Sequence, residues 1–201
     1  MFIGADDPET LAFYAAEAPA YAASRRDGAS RDLHRFLERL SPGARVLELG
    51  CGGGRDAAAM LARGFDVDPT DGGTEMAGEA AARLGHPVRV LRFEEIAAVA
   101  AYDAVWANAS LLHVPRSALP GVLAAIHCAL KPGGLHFANY KTGDREGRDR
   151  FGRYFNYLAC AELVEAYARA GVWEVLAVEE GIGGGYDGRR TPWVAMTLRK
   201  I

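Results

Sequence analysis

Long apolar runs are missing from this chain: none of them approaches the ~18 apolar residues that a membrane-spanning helix needs. Cysteine is scarce, with three in 201 residues (Cys51, Cys128 and Cys160), widely spaced and without a C-x-x-C pair. That argues against a disulfide framework and against a structural zinc site, and it fits a reducing cytoplasm. An excess of positive charge is also absent. Lys and Arg number 23 against 26 Asp and Glu, a formal net charge of -3, so the footprint expected of a duplex nucleic-acid binder is not there. The opening Met1-Phe2-Ile3-Gly4-Ala5-Asp6-Asp7 has neither the basic region nor the apolar stretch of a secretory signal. No internal repeat or low-complexity linker divides the chain, and its length is that of one domain.

What is plentiful is glycine, 24 residues, and its placement punctuates the chain. Asp7-Pro8-Glu9 reads as a helix start, with a capping acid and then Pro at the first helical position, and the helix runs to about Ser24. A second helix opens near Ser30, with Leu33, Phe36, Leu37 and Leu40 at helical spacing, until Ser41-Pro42-Gly43 stops it. Strands are expected at 45–49, 65–70, 88–91, 103–107 and 135–140. Helices at 55–63, 74–84 and 116–130 separate them, and another follows at 161–170. Strands alternating with helices imply parallel pairing through crossover units. The end differs. Strands at 173–178 and 193–198 are joined by a glycine-rich stretch without a helix, so a hairpin is expected there, and one of the two strands must run antiparallel to its neighbour.

The chemistry is announced by Glu48-Leu49-Gly50-Cys51-Gly52-Gly53-Gly54, an E-x-G-x-G-x-G turn between a strand and a helix. Glycines allow a sharp turn and a close approach of ligand to backbone. A dinucleotide loop would be G-x-G-x-x-G, which puts Arg55 where its third glycine belongs. An acid two positions before the first glycine would repel a pyrophosphate and attract a cation. A carboxylate at the end of the second strand can accept two hydrogen bonds from a ribose. Asp66, Asp68 and Asp71 compete for that role, and Asp71 is favoured by its place ~20 residues past the first glycine.

Val46 to Gly54, the Lys131-Pro132-Gly133-Gly134 turn and the terminal hairpin together resemble the class I S-adenosylmethionine-dependent methyltransferases, from about residue 30 to 201. A looser similarity is to small bacterial members of the tellurite-resistance type. The resemblance implies an α/β fold: a Rossmann-like, doubly wound, seven-stranded mixed sheet ending in a C-terminal antiparallel hairpin. Residues 1–201 then form one methyltransferase domain. Residues 1–40 supply N-terminal helices that cap the site, and 141–160 form a lid segment. The cofactor implied is S-adenosyl-L-methionine. Glu48 would sit near its amino group, with Gly50, Cys51, Gly52 and Gly54 lining it and Asp71 on the ribose. Met76, Phe93 and Glu94 would meet the adenine, although many relatives have Asp at the last site. Asn108 and Ala109 would add backbone contacts, and Tyr21, favoured over Tyr14 on the same leading helix, would close the other side, unless both only pack on the helix face.

The methyl-transfer end is less definite. Asn108-Ala109-Ser110 lacks the Pro-Pro-aromatic sequence of enzymes that methylate DNA bases or glutamine. His113 lies in an active-end loop and reads either as a general base or as a histidine tied to backbone. The lid, with Lys141, Arg145, Arg148, Arg150 and Arg153 among Phe151, Tyr154, Phe155 and Tyr157, could roof a substrate or hold an anionic group. The same residues also fit a solvated flap. The candidate catalytic set is His113, Lys141 and Tyr154, with no metal. The expected reaction is in-line methyl transfer to a small molecule. A binding module without transfer activity, and a nicotinamide-dependent enzyme, are the alternatives.

Overall fold

The computed structural model describes residues 4–24 and 28–201. The opening Met1-Phe2-Ile3, and Arg25 to Asp27 of the expected N-terminal cap, lie outside the described residues.

Five strands follow the alternating pattern: β1 (Arg45–Leu49), β2 (Asp66–Asp71), β3 (Arg89–Val90), β4 (Tyr102–Ala107) and β5 (Leu130–Lys141). A short pair follows, β6 (Gly147–Arg148) and β7 (Tyr154–Phe155), and then β8 (Trp173–Gly184) and β9 (Arg190–Lys200). The helices are α1 (Pro8–Ser24), α2 (Leu33–Leu37), α3 (Arg55–Ala62), α4 (Thr74–Leu84), α5 (Leu119–Ala129) and α6 (Cys160–Ala170).

The main sheet has seven strands in the order β3-β2-β1-β4-β5-β9-β8. β1 to β5 pair in parallel, and β9 runs antiparallel to both β5 and β8. This is the expected Rossmann-like mixed sheet. Its order reverses between β1 and β4, and an open sheet of this kind leaves a crevice beyond the strand ends at that reversal.

Alternation along the strands splits the core in two. Val46, Ala104, Trp106 and Phe137 face Leu33, Phe36, Leu37, Ala57 and Met60 of α2 and α3. Leu47, Leu49, Val105, Ala107, Ala138 and Tyr140 face α5 and α6. Indole and phenyl stack within the first half, with Trp106 and Phe137 ring centroids 4.1 Å apart.

Two expectations change. The second helix closes at Leu37, although Leu40 still packs on the core beyond it. The glycine-rich stretch read as a loop is largely strand: β8 and β9 pair from Trp173↔Lys200 out to Gly184↔Arg190. Gly183 is needed there because a Cβ would come within 2.7 Å of the Trp193 ring. Within residues 141–160 the chain forms the β6–β7 hairpin.

Candidate active site

The loop after β1 is shaped by three glycines in the left-handed region, Gly50 (φ 72), Gly52 (φ 54) and Gly54 (φ 73). At Gly50 a Cβ would lie 2.6 Å from Ser110 Cβ, so the turns after β1 and β4 touch through bare backbone. Gly54 serves a different purpose. It caps α3 against Leu84 and Ala80 of α4 and lies off the cavity wall.

Between these turns and α1 opens a cavity of about 1060 Å³ measured out to its mouth. Its wall includes Tyr21, Glu48, Gly50, Cys51, Gly52, Asp71, Met76, Phe93, Asn108, Ala109 and His113 from the expected set.

Glu48 is buried, and its Oε2 has no hydrogen-bond partner. Burial, then the charges of Asp56 and Asp71, push its carboxyl well above the usual range. Asp71 accepts the N–H of Gly52 at 3.0 Å and of Gly73 at 3.1 Å, with the Gly72 N–H also acting on it, and the carboxylate keeps acceptor capacity beyond these. Burial raises it to about 6. Its rivals are occupied elsewhere. Asp68 accepts from Arg89 at 2.7 Å and from Tyr102 at 2.5 Å, and Asp66 is exposed beside Arg45.

Two wall acids carried no sequence signal as site residues. Asp56, in the first turn of α3, accepts from Ser30 N–H at 2.7 Å, Trp106 Nε1 at 3.0 Å and Asn108 Nδ2 at 3.4 Å. Asp6 accepts the N–H of Phe93 at 3.2 Å, and burial lifts its carboxyl to about 6. A carboxylate thus reaches Phe93 from the N-terminal segment. Glu94 lies off the wall, accepting from Ala5 N–H at 3.0 Å. Asn108 and Ala109 are both tied to Asn139, through Asn139 Nδ2 to Asn108 Oδ1 at 2.7 Å and Ala109 N–H to Asn139 Oδ1 at 2.5 Å.

The candidate catalytic residues separate. Only His113 lines the cavity. Lys141 is buried with Asp187 Oδ2 at 3.5 Å and lies 4.5 Å from the Phe155 ring centroid, outside the cavity wall. The Tyr154 hydroxyl turns away to donate to Glu146 at 2.5 Å. Its carbonyl is what reaches the site, 2.6 Å from His113 Nδ1. Tyr14, second to Tyr21 as the residue of the leading helix expected to close the site, is on the wall with its hydroxyl 3.0 Å from His113 Nε2.

Comparison with known proteins settles the family. Residues 21–177 match the methyltransferase-domain family. The chain belongs to that family. The ubiquinone biosynthesis O-methyltransferase of Burkholderia thailandensis is 37% identical over 113 residues, 53% of this chain and 46% of the relative. The chain therefore spans about half the length of the curated relatives it matches. A SAM-dependent methyltransferase structure from Methanosarcina mazei superposes with TM-score 0.76 at 14% identity, covering 87% of this chain and 99% of that one. The 1,6-didemethyltoxoflavin-N1-methyltransferase of Burkholderia thailandensis, solved with 1,6-didemethyltoxoflavin and S-adenosylhomocysteine, gives 0.73 at 24% identity, covering 98% and 93%. At these identities the two structures share the fold. Among the described residues no helix is long and apolar enough to cross a membrane, and no cluster of side chains is suited to a metal ion.

Proposed function

We propose that this methyltransferase-family chain binds S-adenosyl-L-methionine and transfers its methyl group in line to a small-molecule acceptor. The observation that carries the reading is Glu48: a buried carboxylate with one unpartnered oxygen in the wall of the glycine-turn cavity. Such an atom is costly unless a ligand donates to it, and a ligand ammonium is a suitable donor. Backbone without Cβ at Gly50 and Gly52 leaves room beside it, and the remaining acceptor capacity of Asp71 suits a diol. Met76, Leu91 and Phe93 form an apolar end for a flat ring.

In this reading Glu48, Gly50, Cys51, Gly52 and Asp71 hold the cofactor, whose sulfonium supplies an electrophilic methyl group. Asn108, Ala109 and Tyr21 complete its walls. The protein aligns the acceptor and excludes water, and alignment alone is worth up to ~7–11 kcal/mol. The N-terminal segment, α1 and residues 141–160 act as the cap and lid of a single domain. A small acceptor rather than a duplex is in keeping with the formal net charge of -3. Three unpaired cysteines suit a cytoplasmic setting.

The test is a thermal-unfolding titration with S-adenosylhomocysteine. At ~100 times its dissociation constant, binding adds about 2.7 kcal/mol to stability, and an unmoved transition rules the reading out.

A further inference from the structure

The hydrogen-bond inventory at Tyr14 restricts the acceptor. His113 Nδ1 lies 2.6 Å from the Tyr154 carbonyl oxygen, which can only accept, so Nδ1 carries the ring proton and Nε2 is bare. Burial pushes His113 down to about 4, so the ring is neutral at physiological pH. The Tyr14 hydroxyl, 3.0 Å from Nε2, must therefore donate to it. A hydroxyl has one hydrogen and two lone pairs. Arg153 Nη1 fills one lone pair at 3.0 Å.

Arg153 is not free to leave. Its Nε and Nη2 donate to Asp149 Oδ2 at 3.0 and 2.6 Å. Its guanidinium also lies 5.0 to 5.7 Å from the centroids of five rings, Phe13, Tyr14, Phe151, Phe155 and Tyr186. What Tyr14 retains is one lone pair, on a residue of the cavity wall. A ligand group there has to donate a hydrogen, and a carboxylate or a fully deprotonated oxyanion has none to give. The charge of the cavity points the same way. Its wall carries Asp6, Asp7, Glu48, Asp56 and Asp71 against the single guanidinium of Arg55.

Resting on the methyltransferase reading, we infer that the acceptor is an uncharged molecule methylated on a hydroxyl, and that Tyr14 takes the hydroxyl proton while passing its own to His113. The acceptor oxygen uses a lone pair to bond the methyl carbon as the carbon–sulfur bond breaks, its electron pair staying on sulfur. The acceptor O–H proton moves to Tyr14 Oη, and the Tyr14 proton moves to His113 Nε2. The products are a methyl ether, the neutral thioether and an imidazolium whose Nδ1–H remains on the Tyr154 carbonyl. Tyr14 is then the catalytic residue, and His113 acts through it.

A hydroxyl fits better than an amine. An amine keeps its proton stably after methylation and needs no relay. An alkylated hydroxyl becomes a strong acid and can protonate even a weakly basic histidine. Carboxylates and fully deprotonated metalloid oxyanions are excluded by the missing donor at Tyr14.

Two measurements on the full chain test this. Nitrogen-15 NMR of the protein with S-adenosylhomocysteine bound should show His113 protonated on Nδ1 and bare at Nε2. A proton on Nε2 would leave the Tyr14 hydroxyl free to donate and overturn the inference. Labelled methyl transfer to a panel of small alcohols, phenols, amines and carboxylates should mark hydroxyl compounds. Tyr14→Phe keeps the ring and its packing, so its dissociation constant for S-adenosylhomocysteine should be unchanged while kcat falls ~10²–10⁴-fold. Label in carboxylates or amines, or full turnover by Tyr14→Phe, would overturn the inference. Wild type that does not bind S-adenosylhomocysteine at all sinks the earlier reading instead.

Discussion

Asp71 Oδ2 accepts the peptide N–H of Gly52 at 3.0 Å, so the end of β2 holds the loop that follows β1. The same carboxylate lines the cavity, where burial raises it to about 6. Fixing the loop and offering lone pairs to a ligand are therefore one arrangement. Glu48 and Asp6 share its environment, both raised first by burial.

A pH dependence of cation binding follows from these three acids. A positive ligand favours their ionised forms, so binding expels whatever protons they hold. Affinity for S-adenosylmethionine should fall as pH drops through 6, where Asp71 and Asp6 take up protons, by roughly tenfold per unit for each proton displaced. Calorimetry between pH 5 and 8, in buffers of different ionisation enthalpy, reads the affinity and the proton release together. A flat profile with no proton release contradicts the electrostatic picture.

Replacing Gly50 with Ala adds a left-handed strain at φ 72 to a Cβ contact of 2.6 Å with Ser110. We expect a loss of about 2–4 kcal/mol in unfolding free energy, together with loss of ligand binding. Gly64→Ala is the control, since φ is 80 there and nothing lies within 4 Å. It should cost only the backbone strain, about 1–2 kcal/mol. Urea unfolding of both variants decides the point.

Lys141 and Asp187 form a buried pair with side chains 2% and 4% exposed, tying the tip of the β8–β9 hairpin to the end of β5. Asp187→Ala strands the buried ammonium and should cost about 3–5 kcal/mol, whereas Lys141→Met combined with Asp187→Leu should be close to neutral. The double variant should still bind S-adenosylhomocysteine, because neither residue lines the cavity. Loss of ligand binding in a folded double variant would return Lys141 to the site.

The sheet was legible from the residues because its signals are local: apolar runs between glycine stops, and a helix-free final connection. The glycine turn with Glu48 pointed to the cavity for the same reason. Asp6 and Asp56 were not legible, because each joins the cavity through partners far along the chain, Phe93 for one and Trp106 and Asn108 for the other. Tyr154 misled because its type was visible and its direction was not: the hydroxyl leaves for Glu146 while the carbonyl serves His113. The lid stayed open between a roof and a solvated flap because Arg153 alone gives no sign of the five rings that surround it.

His136 is fully buried, with Nδ1 at 3.1 Å from the Val105 carbonyl and Nε2 at 2.9 Å from the Tyr167 hydroxyl. Burial lowers it to about 4, against about 6.5 when unfolded. Between those values the unfolded chain binds the extra proton. The stability this group contributes is intact above pH 6.5 and is lost as pH falls toward 4. Relative to His136→Gln, which does not titrate, wild type should lose roughly 2–3 kcal/mol between pH 7 and 4.5. Denaturant titrations at the two pH values read this directly, and a constant difference between the proteins would contradict the assignment.

Glu48 bears most of the functional reading, and calorimetry of S-adenosylhomocysteine against wild type and Glu48→Ala tests it most directly. We predict one molecule bound per chain and a roughly tenfold to hundredfold weaker affinity in the variant, as expected when a charged buried hydrogen bond is removed. An absence of binding to wild type, or equal affinity in both proteins, would contradict the account.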